Sequence, residues 1–387
     1  MDEWKGSVEA LGITQQVSGG LFAPDPEFWK HRRVLVTGHS GFKGTWLTAW
    51  LHHLGADVAG LSLDRPSSPN MFDAVAGEEL CHDTTGDICD RTAVDRTVQK
   101  FTPEVVFHLA AQPIVRESYA DPLATLQVNI QGTANVLEAC RNLSDCRAIV
   151  ICTSDKCYDN QGLARPFVES DRLGGYDPYS VSKACAELVT SAYRSSFFNE
   201  AKHDTHGVAV ATVRAGNVIG GGDWGADRLI PDAARAFSSG EVLSIRNPSA
   251  LRPWQYVVDS LSGYLSIARA LVEDGRAYSG AWNFGPLDST GWSVLKVADA
   301  FTSAWGGQAS LQNDENRDEP HEQEVLRLNT DKARVELGWA PRVDVAAALD
   351  RSAEWYKAFY AGSTPDVLRA LTVGEIVSNM TTPPLSI

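Results

Sequence analysis

Two short stretches of this sequence bring together side chains that can move protons. Tyr179 and Lys183 are four residues apart in "YSVSK", and Ser154, Asp155 and Lys156 follow one another in "CTSDKCYDN". On a helix, a spacing of four places Tyr179 and Lys183 on one face. A hydroxyl, a carboxyl and an amine in succession are groups that general acid–base chemistry uses. These five residues are therefore the candidate catalytic residues.

A glycine-rich turn earlier in the chain predicts a dinucleotide site. "VTGHSGFKGTWL" places Gly38, Gly41 and Gly44 between a predicted strand and a predicted helix. Glycines let the backbone approach a pyrophosphate, whose charge then meets the N-terminus of the helix. Asp64 ends the next predicted strand, where a carboxylate accepts hydrogen bonds from ribose hydroxyls. Because that acid also repels a 2′-phosphate, we expect NAD rather than NADP, although Arg65 beside it weakens the preference.

Tyr179 can act as a base only if its phenol loses a proton more readily than usual. The ordinary pKa of a tyrosine is about 10, which makes it a poor base at neutral pH. A neighbouring ammonium, here that of Lys183, and a positively charged nicotinamide both favour the phenolate. Tyr–Lys pairs with this spacing also arise by chance. Downstream of the glycine turn, and with Ser154 placed to hold a substrate hydroxyl, the pair indicates catalysis.

Further cofactor contacts are expected around the glycine turn. Polar side chains within the turn would lie beside phosphate or nicotinamide, and the small residues of "HLAAQ" would let the cofactor lie close. "GDICD" is a candidate adenine contact, although an ordinary turn explains it nearly as well. His108 is expected to be a core residue. The predicted cofactor set is Gly38, His39, Gly41, Phe42, Lys43, Gly44, Asp64, Asp87, Ile88, Ala110, Ala111, Gln112, Tyr179 and Lys183.

The elements that position these residues form a repeating pattern. From Arg33 to about Val218, short strands rich in Val, Ile and Ala alternate with helices. Two of the helices begin with Asp-Pro, at Asp121 and Asp177, with the aspartate as N-cap and the proline at the first helical position. Such alternation predicts an α/β fold, a Rossmann-type doubly wound parallel sheet that is covered on both faces.

After about Val218 the composition changes, because Gly, Pro and Trp become frequent. We interpret this part as a smaller, interleaved C-terminal domain that binds substrate. The expected organisation is an N-terminal extension over residues 1–27, an NAD-binding domain over 28–218 with a return segment near 255–275, a substrate-binding domain over 219–360 and a C-terminal tail over 361–387.

Composition limits the class of protein. The chain has 387 residues, of which 43% are hydrophobic and 21% charged, as in ordinary globular proteins with a substantial core. A net charge of −15 argues against nucleic acid or an anionic membrane as the main partner. The 7 cysteines are scattered without a C-x-x-C pair, so we expect neither a metal site nor disulfides. A cytoplasmic protein is the expectation.

From about Phe28 to Tyr360 the chain resembles the extended short-chain dehydrogenase/reductase superfamily. Within it the chain is most similar to the nucleotide-sugar 4,6-dehydratases that act on CDP-glucose. The resemblance rests on "TGHSGFKG", "TSDKCYDN", "LGGYDPYSVSK", "RAGNVIGGGDW", "RLIPD", "RPWQ" and "WNFGP", which occur in the matching order. Two departures are Tyr256, where a histidine is expected, and a longer N-terminal extension.

The resemblance implies a three-step reaction with NAD. Tyr179 removes the proton of the sugar 4-hydroxyl while hydride passes to NAD⁺, water then leaves across carbons 5 and 6, and the hydride returns to carbon 6. Asp155 would protonate the departing hydroxyl. Lys156 stands where related dehydratases carry Glu, and is the candidate base for carbon 5. In a rival role, Lys156 stays charged and polarises the carbon-4 ketone or holds the cofactor.

The resemblance also implies a nucleotide-sugar substrate, with CDP-glucose expected. Arg228 and Arg252 are the expected phosphate contacts. Trp254 or Tyr256 would pack against the pyrimidine or the sugar, unless the Trp and Pro of "RPW" only build a corner of the core. His321 and Glu322 would contact the ribose of the nucleotide. The full substrate set is Asn217, Arg228, Leu229, Arg252, Trp254, Tyr256, His321 and Glu322.

Alternative functions remain open at this point. The chain could be another nucleotide-sugar 4,6-dehydratase or a 4-epimerase of the same superfamily, but an epimerase does not need Asp155 and Lys156. It could be a catalytically silent NAD-sensing regulator, but Tyr179 and Lys183 are intact. The predicted helices at 121–141 and 177–197 carry apolar residues on more than one side. The resemblance implies that these helices pair with their copies in a homodimer through a four-helix bundle, unless those faces pack only on the sheet.

Overall fold

The computed structural model describes residues 22–162, 165–287, 291–313 and 325–386. Its strands are β1 Arg33–Thr37, β2 Asp57–Ser62, β3 His82–Thr85, β4 Val105–His108, β5 Ala148–Cys152, β6 Ala209–Ala215, β7 Val218–Ile219, β8 Leu243–Ile245, β9 Leu251–Arg252, β10 Gln255–Tyr256, β11 Gly280–Phe284, β12 Trp292–Ser293 and β13 Leu311–Asn313. Its α-helices are Pro26–Trp29, Phe42–His53, Met71–Ala74, Arg91–Phe101, Val115–Ala120, Pro122–Leu126, Gly132–Cys140, Pro178–Ser196, His203–His206, Leu229–Ser238, Val257–Glu273, Gly275–Tyr278, Val294–Trp305, Asp331–Glu336, Val345–Tyr360 and Pro365–Thr381.

Seven of these strands form one parallel sheet, in the order β11-β6-β5-β4-β1-β2-β3. β5 and β6 are buried at every position, as expected for Val- and Ala-rich strands covered on both faces. The predicted α/β, Rossmann-type sheet is confirmed. The sequence pattern did not identify β3 and β11, the two edge strands. β3 consists of four exposed polar residues and has no hydrophobic period to detect.

The two Asp-Pro helix starts are present as predicted. Asp121 accepts a hydrogen bond from the backbone N–H of Ala124 at 2.9 Å, and Asp177 accepts one from that of Ser180 at 2.8 Å. Each carboxylate satisfies a backbone donor that the first helical turn leaves unpaired. The first helix is not uniform, because a π-helical turn at Gln127–Gln131 separates its two α-helical parts.

The later part of the chain is interwoven with the main sheet. The helix Val257–Glu273 is buried along most of its length and contacts β5 and β6. β11 then pairs with β6, so the chain beyond residue 275 also contributes a strand. Three two-stranded sheets, β7 with β10, β8 with β13 and β9 with β12, stand apart from the main sheet. The domain boundaries stay a prediction.

The expected C-terminal tail contains a helix that packs on the body of the protein. Within Pro365–Thr381, Leu368 and Ile376 are buried, and Asn379 donates to Asp259 Oδ1 at 2.7 Å. The helix contacts the helices Phe42–His53 and Val257–Glu273. A hydrophobic stripe among mixed polar residues therefore marks a structural element here. Among the described residues, no helix is long and apolar enough to cross a bilayer.

Candidate active site

The predicted catalytic residues meet at the carboxyl edge of the parallel sheet. β5 ends at Cys152, and residues 154–157, the catalytic turn, follow it. The helix Pro178–Ser196, the catalytic helix, faces this turn across a cavity of about 350 Å³. Open α/β sheets bind ligands at this edge. All five candidate side chains line the cavity, namely Ser154, Asp155, Lys156, Tyr179 and Lys183.

Ser154 connects the two sides of the catalytic centre. It caps the catalytic turn, because its Oγ accepts from the backbone N–H of Lys156 at 3.2 Å. The same hydroxyl is 3.0 Å from Asp155 Oδ1, to which it donates, and it is hydrogen-bonded to the phenol of Tyr179. A substrate hydroxyl that reaches Tyr179 therefore also comes within reach of Ser154.

Burial controls the protonation of the Tyr–Lys pair. It raises the pKa of Tyr179 to about 12, although the hydrogen bond with Ser154 and the charge of Lys43 act against it. Burial lowers the pKa of Lys183 to about 8, and its Nζ donates to the carbonyl oxygen of Cys152 at 3.3 Å. The protein's own groups therefore do not bring the pKa of Tyr179 into the neutral range that the sequence led us to expect. The loss of hydration on burial raises the pKa of Tyr179 more than the neighbouring cations lower it.

Asp155 has the environment of a proton donor. Its carboxyl is buried, and burial raises its pKa against the opposing charge of Lys156. Asp155 Oδ2 has no hydrogen-bond partner among the residues that the structure describes. A carboxyl that keeps its proton and has an uncommitted oxygen can pass that proton to a leaving group. The half-buried Lys156 lines the same cavity beside it.

The glycine turn has the shape that a dinucleotide requires. Gly38 has a φ of 75°, and a Cβ there would lie 2.6 Å from the backbone nitrogen of Ala110. A Cβ on Gly44 would lie 2.0 Å from the carbonyl oxygen of Gly38. Only glycine fits at these two positions, because a side chain there would collide with neighbouring backbone atoms. Gly41 is the N-cap of the helix Phe42–His53, whose N-terminus suits a pyrophosphate.

The residues after β2 favour NAD over NADP. Asp64 is exposed, as a partner for ribose hydroxyls must be. The guanidinium of Arg65 donates to Asp73 Oδ1 at 2.8 Å and to Asp83 Oδ2 at 3.1 Å. Two carboxylates therefore already balance its charge, which makes Arg65 a poor partner for a 2′-phosphate. Arg65 therefore does not weaken the preference for NAD.

Three predicted cofactor residues support the site from within the protein. His39 is 0% exposed, with Nε2 2.7 Å from Asp83 Oδ1 and Nδ1 2.8 Å from Ser62 Oγ. The side-chain amide of Gln112 donates to the carbonyl oxygen of Ile114 and to the hydroxyl of Thr125, and Ile88 is part of a hydrophobic core cluster. The His39 ring points beneath the turn, and its contact with the cofactor stays a prediction.

The other predicted cofactor residues lie around the same cleft. Phe42, Lys43 and Ala111 line the cavity. Asp87 accepts from the backbone N–H of Cys89 at 2.8 Å, as in an ordinary turn. His108 is a core residue, as expected, with its ring nitrogens 2.7 Å and 3.2 Å from two threonine hydroxyls, and burial lowers its pKa to about 3. In the described ranges, no three or more His, Cys, Asp or Glu side chains are grouped to hold a metal ion.

The predicted substrate residues separate into three groups. Five of them line the cavity, namely Asn217, Arg228, Leu229, Arg252 and Trp254. Tyr256 does not: it is 2% exposed, and its ring centroid is 6.4 Å from that of Trp46 in the core. His321 and Glu322 lie outside the described residues.

Two cavity arginines were missed by sequence reasoning. Arg116 and Arg246 both donate to Asp227 Oδ1, at 3.2 Å and 2.8 Å, and all three residues line the cavity. Asp227 has a φ of 60°, a left-handed conformation that non-glycine residues seldom adopt. The three come from distant parts of the chain, so no local motif signals their meeting.

Comparison with known proteins agrees with this geometry. Residues 35–351 match the family model described as GDP-mannose 4,6 dehydratase. The chain is 45% identical to the CDP-glucose 4,6-dehydratase of Salmonella typhimurium, over 92% of this chain and 99% of that protein. It is 25% identical to the dTDP-glucose 4,6-dehydratase of Haemophilus influenzae, over 84% of this chain and 97% of that protein.

A solved structure shows the same architecture. The UDP-glucose 4-epimerase of Thermus thermophilus, in complex with NAD, matches with a TM-score of 0.71 and 25% identity, over 84% of this chain and 99% of that one. The family match covers the glycine turn, the catalytic turn and the catalytic helix. The chain therefore belongs to the GDP-mannose 4,6 dehydratase family, within the extended short-chain dehydrogenases/reductases.

Proposed function

We propose that this chain catalyses the NAD-dependent 4,6-dehydration of a nucleotide hexose, CDP-D-glucose, to CDP-4-keto-6-deoxy-D-glucose. The observation that carries the proposal is the meeting of Asp155 and Lys156 with Tyr179 and Lys183 in one cavity. Oxidation and epimerisation at carbon 4 need the Tyr–Lys pair alone, whereas loss of water needs a further acid and a further base. The Salmonella relative supports both the reaction and the nucleotide.

The first step depends on Tyr179. The glycine turn would hold NAD⁺, which would supply the acceptor for the hydride of carbon 4, the donor of hydride to carbon 6, and a positive charge that favours the phenolate. Tyr179 takes the proton of the 4-hydroxyl, and Ser154 holds that hydroxyl through the hydrogen bonds described above. Lys43 and Arg228 also carry positive charge near the phenol, which lowers the cost of ionising it inside the protein.

The elimination depends on the catalytic turn. A ketone at carbon 4 acidifies the proton on carbon 5, and Lys156 removes that proton. Asp155 then gives its proton to the hydroxyl leaving carbon 6, which its raised pKa and uncommitted Oδ2 allow. In the rival role, Lys156 keeps its charge and polarises the ketone. Both roles place Lys156 against the sugar ring or the cofactor.

The arginines that line the cavity suit the nucleotide diphosphate. Arg228 and Arg252, the expected phosphate contacts, are joined there by Arg116 and Arg246. Guanidinium groups bind phosphate oxygens through paired N–H donors. Trp254 offers an aromatic surface to the base or the sugar. Most of these residues that line the cavity belong to the proposed substrate-binding domain. We also propose a cytoplasmic location, because the cysteines are scattered along the chain.

A panel of nucleotide hexoses tests this function. The protein is incubated with NAD⁺ and, in separate reactions, with the glucose derivatives of CDP, UDP, dTDP and GDP. We expect the ultraviolet absorbance that 4-keto sugars develop in alkali, with CDP-glucose as the best substrate. An epimerised hexose as the only product would identify a 4-epimerase. Binding of NAD⁺ without turnover of any sugar would identify a silent regulator.

The hydride is expected to stay within each catalytic cycle. CDP-glucose carrying deuterium at carbon 4 should therefore yield product with deuterium at carbon 6. The same catalytic groups serve removal of hydride from carbon 4 and its return to carbon 6, and the net reaction consumes no reductant. Mass spectrometry and NMR of the product measure the label. Release of reduced cofactor in amounts equal to product would contradict the proposal.

The protein is expected to be a homodimer, with the catalytic helix and the segment 122–140 forming a four-helix interface. Leu123 is 77% exposed and Leu188 is 57% exposed, which is costly for large apolar side chains in water. Sedimentation should show a dimer at micromolar concentration, and Leu188→Arg should shift it towards monomer. Leu371→Arg is the matched control, since Leu371 is exposed on the C-terminal helix. A wild-type monomer, or equal effects of both variants, would refute the interface.

A further inference from the structure

A buried carboxylate beneath the catalytic centre has no part in the chemistry described so far. Glu187 lies on the catalytic helix, four residues after Lys183 and eight after Tyr179, and therefore on the same side of the helix. It is 4% exposed. We propose that Glu187 is a positioning residue, which acts through Thr153 to fix the catalytic turn relative to Tyr179.

The carboxylate joins the catalytic helix to two strands of the sheet. Glu187 Oε1 accepts from Thr153 Oγ1 at 2.5 Å and from Arg214 Nε at 2.9 Å. Glu187 Oε2 accepts from Thr212 Oγ1 at 2.7 Å and from Arg214 Nη2 at 2.7 Å. The paired contact with the guanidinium fixes direction as well as distance. The helix is thereby attached to the end of β5 and to β6.

The same network holds the far end of the catalytic turn. Arg214 Nη1 donates to Tyr158 Oη at 2.9 Å, and that hydroxyl donates to Asn283 Oδ1 on β11 at 2.7 Å. Thr153 precedes the catalytic turn and Tyr158 follows it. Residues 154–157 are therefore held at both ends by one set of buried hydrogen bonds, which begins on the helix that carries Tyr179.

The charge of Glu187 makes the attachment firm. Burial opposes its ionisation, but the guanidinium of Arg214 and the hydrogen-bond donors hold its pKa below the ordinary range. A charged acceptor makes shorter and stronger hydrogen bonds than a neutral one. The carboxylate of Glu187 thus holds the hydroxyl of Thr153. Thr153 is the residue before Ser154, and Ser154 must stay within hydrogen-bond reach of Tyr179.

This inference rests on the proposed function, because it assigns the network to the geometry of the dehydration. A displacement of about 1 Å in a reacting group costs a rate factor on the order of 100. Removing Glu187 itself would leave Arg214 buried without its partner, which endangers folding. The two threonines offer a gentler and better-matched comparison, because both hydroxyls donate to the same carboxylate but only Thr153 adjoins the catalytic turn.

The test compares Thr153→Val with Thr212→Val. Each variant keeps the side-chain shape, removes one donor from Glu187 and leaves the carboxylate paired with Arg214. We expect Thr153→Val to lower kcat about 10- to 100-fold with little change in KM, on the scale of a misplaced reacting group. Thr212→Val should keep kcat near that of the wild type. Thr153→Ser, which retains the hydroxyl, should restore most of the rate.

A second measurement does not depend on turnover. In hydrogen–deuterium exchange of the protein without substrate, the peptide that spans residues 153–158 should exchange faster in Thr153→Val than in Thr212→Val. If that difference is seen but no dehydration occurs in any protein, the proposed function fails and the positioning role stands. If the wild type dehydrates CDP-glucose and the two valine variants have the same kcat and the same exchange, the positioning role is overturned.

Discussion

Tyr179→Phe is expected to lower kcat by about two to four orders of magnitude, the usual worth of a general base. The phenylalanine ring fills the same space but cannot take the proton of the 4-hydroxyl. The Tyr179 side chain is buried and its hydroxyl is bonded to Ser154, so the variant loses one hydrogen bond without opening a cavity. Formation of the 4-keto product under saturating substrate measures the loss.

Two controls isolate the chemical role of Tyr179. The variant should bind NAD⁺ with nearly unchanged affinity and show the circular dichroism of the wild type, because the glycine turn lies on a different element. Tyr278→Phe serves as the matched control, since Tyr278 packs against Phe22 and Trp282 away from the cavity. Near-normal oxidation at carbon 4 by Tyr179→Phe would show that another group is the base.

The second large effect is expected from the acid and the base of the catalytic turn, tested as a pair. Asp155→Asn should lower kcat by about two to four orders of magnitude, because an amide cannot protonate the departing hydroxyl. It should still exchange the carbon-5 proton with heavy water, since that step precedes loss of the hydroxyl. Lys156→Met should retain oxidation at carbon 4, seen as absorbance of reduced nicotinamide on the enzyme, but lose the carbon-5 exchange.

These outcomes also decide between the two roles of Lys156. Exchange at the wild-type rate in Lys156→Met, together with weaker cofactor binding, would assign Lys156 to the cofactor and leave the base to be found elsewhere. Lys100→Met, at an exposed position of the helix Arg91–Phe101, is the control for loss of a positive charge. Burial raises the pKa of Asp155, and the acid must be protonated to act. Activity should therefore fall as pH rises through that pKa, and this fall should vanish in Asp155→Asn.

The sequence was most informative where the chemistry is local. The glycine turn, the Asp-Pro helix starts at Asp121 and Asp177, and the pairs Asp155–Lys156 and Tyr179–Lys183 each occupy a few consecutive residues. Their spacing and the usual geometry of helices and strands are enough to predict which way they point. The alternation of helices with the five inner strands of the sheet follows from the same local periodicity, whereas the edge strands β3 and β11 give no such signal.

Sequence reasoning was weaker where the direction of a side chain depends on distant residues. His39 and Tyr256 stand in motifs predicted to contact ligands, but the packing of β2, β3 and Trp46 around them turns both side chains into the core. The bonds of Asp227 to Arg116 and Arg246, and of Glu187 to Arg214, join residues far apart in the chain. Such pairs form only when the chain is folded, so the spacing of residues in the sequence does not predict them.

The helix Pro365–Thr381 packs against helices that lie more than 90 residues earlier in the chain. Asp259 accepts from the backbone N–H groups of Arg342 and Val343, at 2.9 Å and 3.0 Å, and its last partner is Asn379, 120 residues further along the chain. Domains generally fold from the N-terminus as the ribosome releases them. In that order of folding, the helix Phe42–His53 beside the cofactor turn is left uncovered on one face until residues 365–381 pack against it.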